Sequence, residues 1–302
     1  MQQLSIDNYA GLYQPDSSAP PLTTDPWRPP SVTAFDGTLL PSISLGLSTV
    51  DTALLSQTIL QALQVGYRAL NCSSELNNEL ETGLALEKAM DKLYISRDQL
   101  FITVKLSPQT TTYDETLRRF DRCLYQMNLS HIDLCLLNWP GSERSSYLDA
   151  WRALLRLKSE KKIRALGLAN FPPGPIDRLI VETGGRPLIN QIELHPHFQQ
   201  AGLCASMERR GIKVGVWSPL GHGLALDNPL FQKLASNYAK SPAQIVLRWH
   251  LDRGRLISPS TSKVERIAEN LDILDFSISQ GDHYKISLLE SGIRLGPRPI
   301  VF

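Results

Sequence analysis

Short apolar runs along this 302-residue chain end in side chains that can grip or act on a small molecule. Those ends read Asn71, Lys105, Asn138, Asn170, Gln191 with Glu193, Trp217 with Ser218, and Ser260. A polar residue is a poor terminus for a core strand unless its group meets solvent or ligand there. Taken together the ends supply amide donors and acceptors, one ammonium and one aromatic plate, which suits a pocket for a small organic molecule. The expected partner is therefore a small-molecule substrate.

Other chemistries find little support. No GxGxxG follows a strand-like run, and Walker and GxSxG motifs are missing. Cys72, Cys123, Cys135 and Cys204 form no CxxC pair and no Cys/His cluster of zinc spacing, so no metal is expected and the thiols read as reduced. His195 and His197 make an HxH pair that reads as structural. With 31 Lys and Arg against 30 Asp and Glu, the net charge is +1. Without a basic run there is no electrostatic footprint for nucleic acid. Every apolar run breaks off well short of the ~18 residues of a membrane span, and Met1 to Ala10 lacks the build of a signal peptide. The expectation is a cytoplasmic monomer.

The positioning elements follow from periodicity. Strand-like runs cover Ser44 to Leu47, Tyr67 to Cys72, Leu100 to Leu106, Ile132 to Trp139, Ile163 to Asn170, Leu188 to Leu194, Ile212 to Ser218 and Leu256 to Pro259. Helical patterns lie between them. Leu55, Ile59 and Leu63 form a stripe that ends at Gly66, a C′ glycine. Thr112 with Glu115 and Ser262 with Glu265 have capping-box spacing ahead of further stripes. Strict alternation of strand and helix predicts an α/β protein, a (β/α)8 TIM barrel, whose strand C-termini converge on one mouth. Residues 1–31, rich in proline and without apolar period, read as an extension. The barrel then spans 32–302.

The motifs in these runs resemble those of the aldo-keto reductase family from Val32 to about Ile293. Leu40-Pro41 with Leu45-Gly46-Leu47 resembles MPxLGLGT, Gly66-Tyr67-Arg68 resembles the start of GYRHIDTA, and Asn78-Glu79 matches the end of YxNE. Asn138-Trp139-Pro140 stands where IHWP is usual. Gly167 to Phe171 resembles GVSNF, Asn190 to Pro196 resembles NQIExHP, Ser218 to Gly221 matches SPLG, and Ser241 to Trp249 resembles TPAQVxLRW.

That resemblance implies NADP(H) held in extended form at the barrel mouth. Asn170 and Gln191 match the side chains on the nicotinamide carboxamide, and Trp217 replaces the tyrosine that stacks on its ring. Ser218 and Leu220 belong to the SPLG stretch beside the cofactor. Arg266, Glu269 and Asn270 match the residues on the 2′-phosphate and adenine. Ser260 replaces the phosphate-binding lysine, which keeps NAD(H) open as the cofactor, although Thr261 and Ser262 can still donate hydrogen bonds. Leu76, Trp139 and His222 would line the substrate side.

The family's proton relay of aspartate, tyrosine, lysine and histidine corresponds here to Asn71, Leu76, Lys105 and Asn138, so only the lysine is kept. Leucine cannot donate a proton. Three functions are consistent with that. An oxidoreductase could reduce a pre-activated, iminium-like acceptor, with Asn71 and Asn138 orienting it, or could use Glu75 or Cys72 as a substitute acid. A redox-neutral enzyme for isomerisation, rearrangement or cyclisation could use Lys105 as base or imine-forming amine. A catalytically silent barrel could serve as a binding or regulatory protein.

Overall fold

In the computed structural model, the described residues are 30–73, 78–106, 112–140 and 146–297. Two short strands, β1 (Ser31–Thr33) and β2 (Leu39–Pro41), pair antiparallel as a hairpin. Eight parallel strands then alternate with helices: β3 (Leu45–Gly46), α1 (Leu55–Gln64), β4 (Ala69–Ser73), α2 (Glu79–Leu93), β5 (Phe101–Leu106), α3 (Tyr113–Met127), β6 (Ile132–Asn138) and α4 (Ser146–Ser159). The second half runs β7 (Ile163–Ala169), α5 (Pro173–Thr183), β8 (Ile189–Glu193), α6 (Ala201–Arg209), β9 (Lys213–Trp217), α7 (Pro229–Tyr238), α8 (Pro242–Leu251), β10 (Leu256–Ser258), α9 (Val264–Leu271) and α10 (Gln280–Ser287). Parallel bridges from Ile43 to Ile257 and from Gly46 to Ser260 join the first and last barrel strands, so the sheet closes as a (β/α)8 barrel.

The strand period of two sorts the apolar residues into two clusters. Leu134, Leu136, Ala165, Ala169, Ile189 and Leu256 meet Leu40 of the hairpin inside the barrel. Cys135, Leu137, Leu166, Leu168, Ile192 and Val216 point outward into the layer shared with the helices. Asn138, Gln191 and Trp217 share the inward parity, which is why strand ends of this register face the mouth.

Local signals explain several boundaries. Leu55, Ile59 and Leu63 are the buried stripe of α1, and Gly66 follows its C-cap with φ 110°. Thr112 and Glu115 form the reciprocal capping box expected ahead of α3. The serine of the TPAQ-like motif has a physical role too: Ser241 caps α8, and Gln244 reaches back to the Ser241 amide at 2.8 Å.

Other expectations need correction. The box at Ser262 and Glu265 does not form. The N-cap of α9 is Lys263, without a side-chain cap bond, and its amide instead donates to Thr261 Oγ1 at 3.2 Å. Strand and helix do not alternate strictly, because both α7 and α8 lie between β9 and β10 and α10 follows α9. The hairpin ahead of the barrel carries too short an apolar pattern to stand out from its proline-rich surroundings. Most of the expected extension lies outside the described residues.

Gly167 fixes how tightly the barrel closes beneath the mouth. A methyl group there would sit 2.5 Å from Ile189 Cγ2, 2.6 Å from Leu136 Cδ2 and 3.0 Å from the Ile189 carbonyl oxygen. Gly167→Ala is expected to cost about 1–3 kcal/mol by overpacking, visible as a lower urea midpoint. An unchanged midpoint would show slack in this layer.

Candidate active site

The mouth is shaped by backbone turns that immediately follow strands. Trp139, Asn170 and Ser218, each one residue past β6, β7 and β9, have φ of 65°, 63° and 49°. This left-handed region is comfortable for asparagine and costly for most other side chains. Three such residues on neighbouring loops concentrate backbone strain where the site must be held.

One of these turns carries Asn170 across the mouth to its neighbours. Trp217 Nε1 donates to Asn170 Oδ1 at 2.8 Å, and Asn170 Nδ2 donates to Asn138 Oδ1 at 2.9 Å. Asn138 and Asn170 are buried, while Trp217 is half-buried. The Asn170 backbone amide donates to the Gln191 carbonyl at 2.9 Å, which ties the start of the loop after β7 to β8. Gln191 is 4% exposed, and its Oε1 is buried with no hydrogen-bond partner among the described residues. A buried acceptor of this kind is costly to leave unmade. Asn71 and Gln191 line one interior space with Thr103, Leu136 and Ser258, and half-buried Lys105 stands opposite Leu136 in the strand register. The structure therefore joins Asn138, Asn170 and Trp217 at the strand ends, whereas Asn71, expected at a strand end, lies in the middle of β4 and shares its interior space with Gln191 and with Leu40 and Pro41 of the hairpin. Leu76 and Glu75 lie outside the described residues.

Cys72 is not suited to be a substitute acid. It points outward into the core shared with α3, and burial pushes its thiol up to about 12. His195, of the HxH pair, is fully buried with Nε2 3.4 Å from Glu193 Oε1.

The expected cofactor residues continue along a loop and a helix end. In Ser218-Pro219-Leu220-Gly221, the Pro219 carbonyl accepts from His250 Nε2 at 3.1 Å, and Leu220 packs partly on the core. His222, itself at φ 52°, has Nε2 3.5 Å from Ser218 Oγ. Ser260 Oγ lies 2.6 Å from Thr49 Oγ1. Arg266 is the exposed third residue of α9, one turn before half-buried Glu269 and buried Asn270. The Glu269 carboxylate accepts from Ser241 Oγ, so one of its oxygens already serves the α8 cap. Exposed Lys263, which sequence reasoning passed over, stands at the same helix start as Arg266.

A cleft of about 260 Å³ adjoins Asn170 on the far side of the barrel wall, between Phe171, Pro172, Ile192 and Leu203, with Arg294 of the C-terminal tail at its edge. Sequence reasoning also missed the part played by Glu193, which is fully buried and accepts from the Leu295 and Gly296 amides at 2.6 and 3.0 Å. Its signal was a carboxylate at the end of an apolar strand.

A family model described as the aldo/keto reductase family matches residues 42–290. The chain belongs to the aldo/keto reductase family. The methylglyoxal reductase DkgA of Yersinia pestis is 38% identical over 275 residues, covering 90% of this chain and 97% of that one. Among solved structures, an aldo/keto reductase from Brucella melitensis is 35% identical with a TM-score of 0.83, covering 87% of this chain and all of that one. An aldo-keto reductase of Bombyx mori, solved in complex with NADP, is 27% identical with a TM-score of 0.84, covering 89% and 95%. As an aldo-keto reductase the chain is an oxidoreductase on a TIM barrel. No helix among its described residues is long and apolar enough to cross a membrane.

Proposed function

We propose that this aldo-keto reductase binds NADP(H) at the barrel mouth and reduces a small-molecule acceptor that arrives already activated, of the iminium kind. The observation that carries the cofactor half is Gln191 Oε1, a buried acceptor without a partner among the described residues, on the strand whose Gln191 carbonyl takes the Asn170 backbone amide. A nicotinamide carboxamide presents the N–H donors that would satisfy it. A nicotinamide cofactor, when bound, supplies hydride to an electrophilic carbon. The chain's part is to hold it: Gln191 and Asn170 at the carboxamide, Trp217 against the ring, and Ser218 and Leu220 alongside. Glu269 and Asn270 serve the adenine end. At the 2′-phosphate, Ser260 and Thr261 offer hydroxyls. Arg266 and Lys263 add two cations at the start of α9, where amide donors favour an anion. The second cation offsets the lysine missing at Ser260 and favours NADP(H) over NAD(H).

The acceptor class follows from the residue types at the relay positions. Reduction of a carbonyl leaves charge on oxygen that a proton must meet, and positions 71, 76 and 138 are Asn, Leu and Asn. Asn138 is engaged as acceptor to Asn170 and orients rather than titrates. An iminium carbon takes the hydride while the C=N bonding pair returns to nitrogen as a lone pair, so no proton is required. Trp139 and His222 then shape the substrate side.

Titration of the purified chain with NADPH, followed by nicotinamide fluorescence, is expected to show saturable binding stronger than that of NADH. With NADPH bound, methylglyoxal, the substrate in the name of the Yersinia relative, is expected to turn over near background, whereas a preformed cyclic iminium is reduced. Absence of binding at millimolar NADPH would overturn the cofactor assignment. Rapid methylglyoxal reduction would overturn the acceptor class.

A further inference from the structure

The C-terminal tail is fastened to the same corner of the mouth that holds Trp217. Glu193 and Trp217 are direct register partners on β8 and β9, so their side chains emerge together. The Glu193 carboxylate is fully buried and is met from three sides. The Leu295 and Gly296 amides donate to Oε1 and Oε2, Arg294 Nη1 approaches Oε2 at 3.4 Å, and His195 Nε2 lies 3.4 Å from Oε1. Charge-assisted bonds to consecutive backbone amides fix a main-chain segment more firmly than apolar contact can. The Arg294 guanidinium also lies 4.6 Å from the Phe198 ring centroid and donates to the Pro297 carbonyl at 3.1 Å, which pins the segment on both sides.

What this segment rests on is the indole. A methyl group on Gly296 would fall 2.2 Å from Trp217 Cη2, 3.1 Å from Cζ3 and 2.9 Å from Glu193 Oε2, so the tail backbone already lies in contact with the six-membered ring and with the carboxylate that ties it down. The other end of the same indole donates to Asn170. The ring is therefore held at one end by a side-chain amide and at the other by a strap of backbone that Glu193 ties down.

We propose that Glu193 is a positioning residue for the nicotinamide plate: by clamping residues 294–296 it sets the plane of Trp217, and Gly296 is the glycine that lets the strap lie flat on the ring. The effect on the cofactor rests on the NADP(H) reading given above. The clamp itself does not, and the two are tested separately.

The first test is limited trypsin digestion of the cofactor-free chain, with mass spectrometry of the peptide released by cleavage after Arg294. The bond after Arg298 precedes proline and resists the enzyme. Native protein is expected to keep the Arg294 site protected. Glu193→Gln places an amide donor against backbone donors and is expected to raise cleavage by about tenfold or more. The second test leaves Glu193 intact. Gly296→Ala is expected to shift Trp217 emission, read as the difference from a Trp217→Phe background, and to raise the Kd for NADPH about tenfold. In the Trp217→Phe background, where the ring that clashes is smaller but the contact with Glu193 Oε2 remains, the same Gly296→Ala step is expected to raise Kd by a clearly smaller factor.

If native protein fails to bind NADPH, the cofactor reading falls while protection and emission still report on the clamp. Unaltered protection of Arg294 in Glu193→Gln would overturn the proposal. So would Gly296→Ala with unaltered Trp217 emission, or with a Kd penalty of equal size in both backgrounds.

Discussion

Replacing Asn170 with alanine is expected to weaken NADPH binding about 10- to 100-fold, equivalent to about 1.4–2.7 kcal/mol, and to destabilise the fold as well. Replacement with glycine should weaken binding equally but cost less stability. The difference lies in the backbone. Asn170 holds φ of 63°, which asparagine tolerates, glycine adopts freely and alanine accepts at roughly 1–2 kcal/mol. Both replacements remove the acceptor for Trp217 Nε1 and the donor to Asn138 Oδ1, bonds worth about 0.5–1.5 kcal/mol each. Both also remove the side chain proposed to share the carboxamide with Gln191. Urea unfolding and NADPH titration of the two variants separate these contributions. Equal stability of the two would show that the left-handed turn carries no strain. Native affinity in either would show that Asn170 does not hold the cofactor.

The barrel was legible because its strands carry their own grammar. An apolar run of four to eight residues between polar or helical segments, repeated around the chain, admits few architectures other than closed parallel packing, and all eight runs became barrel strands. Boundaries fell within a residue or two, since strand ends are set by neighbour pairing rather than by local residue type. The irregular additions escaped because their signals are short or contested. The hairpin has three residues per strand, and Leu40 is recognisable as a core residue only once the barrel floor it plugs exists. At α9 the N-cap falls on Lys263, three residues after Ser260 bridges to Gly46, a contact remote in sequence that no local pattern encodes.

In the site, residue types were legible and partners were not. Asn138, Asn170, Gln191 and Trp217 announced themselves as polar or aromatic ends of apolar strands. That Asn170 spends its amide on both Asn138 and Trp217, leaving Gln191 Oε1 unpartnered among the described residues, depends on three loops turning left-handed at once. No periodicity encodes that. Glu193 illustrates the same point from the other side. A carboxylate at a strand end reads as solvent-facing until the tail, a hundred residues later, covers it and supplies two amides.

Stability is expected to fall as pH drops below about 6.5, and the cause lies beneath the loop from Ser218 to Gly221. His250 is wholly buried, and burial, with Arg255 next, drives its pKa well below the ordinary histidine value. Its partners fix the neutral form: Nε2–H donates to the Pro219 carbonyl at 3.1 Å, and Nδ1 accepts from Arg255 Nη1 at 3.4 Å. Protonation would set an N–H against the guanidinium. His195 is pushed down in the same direction, by burial first and against the pull of Glu193, and among the described residues its Nδ1 has no partner to receive a proton's hydrogen bond. Below its ordinary value each imidazole is protonated in the unfolded chain while still neutral in the folded one, so the unfolded state gains protons and stability declines with falling pH. Each such group contributes about 1.4 kcal/mol per pH unit until the folded pKa is reached, and nothing above the unfolded value. Carboxylates with lowered values, such as Asp252, act in the same sense only below about pH 4, so they leave this window untouched. Urea midpoints are therefore expected to be level above pH 7 and to fall between pH 6.5 and 5. In His250→Gln, whose amide can donate to Pro219 and accept from Arg255 without titrating, the slope should lessen by one group's share. A midpoint that holds level to pH 5 in the native chain would mean that these imidazoles take up protons in place, and that the loop from Ser218 to Gly221 does not depend on their neutrality.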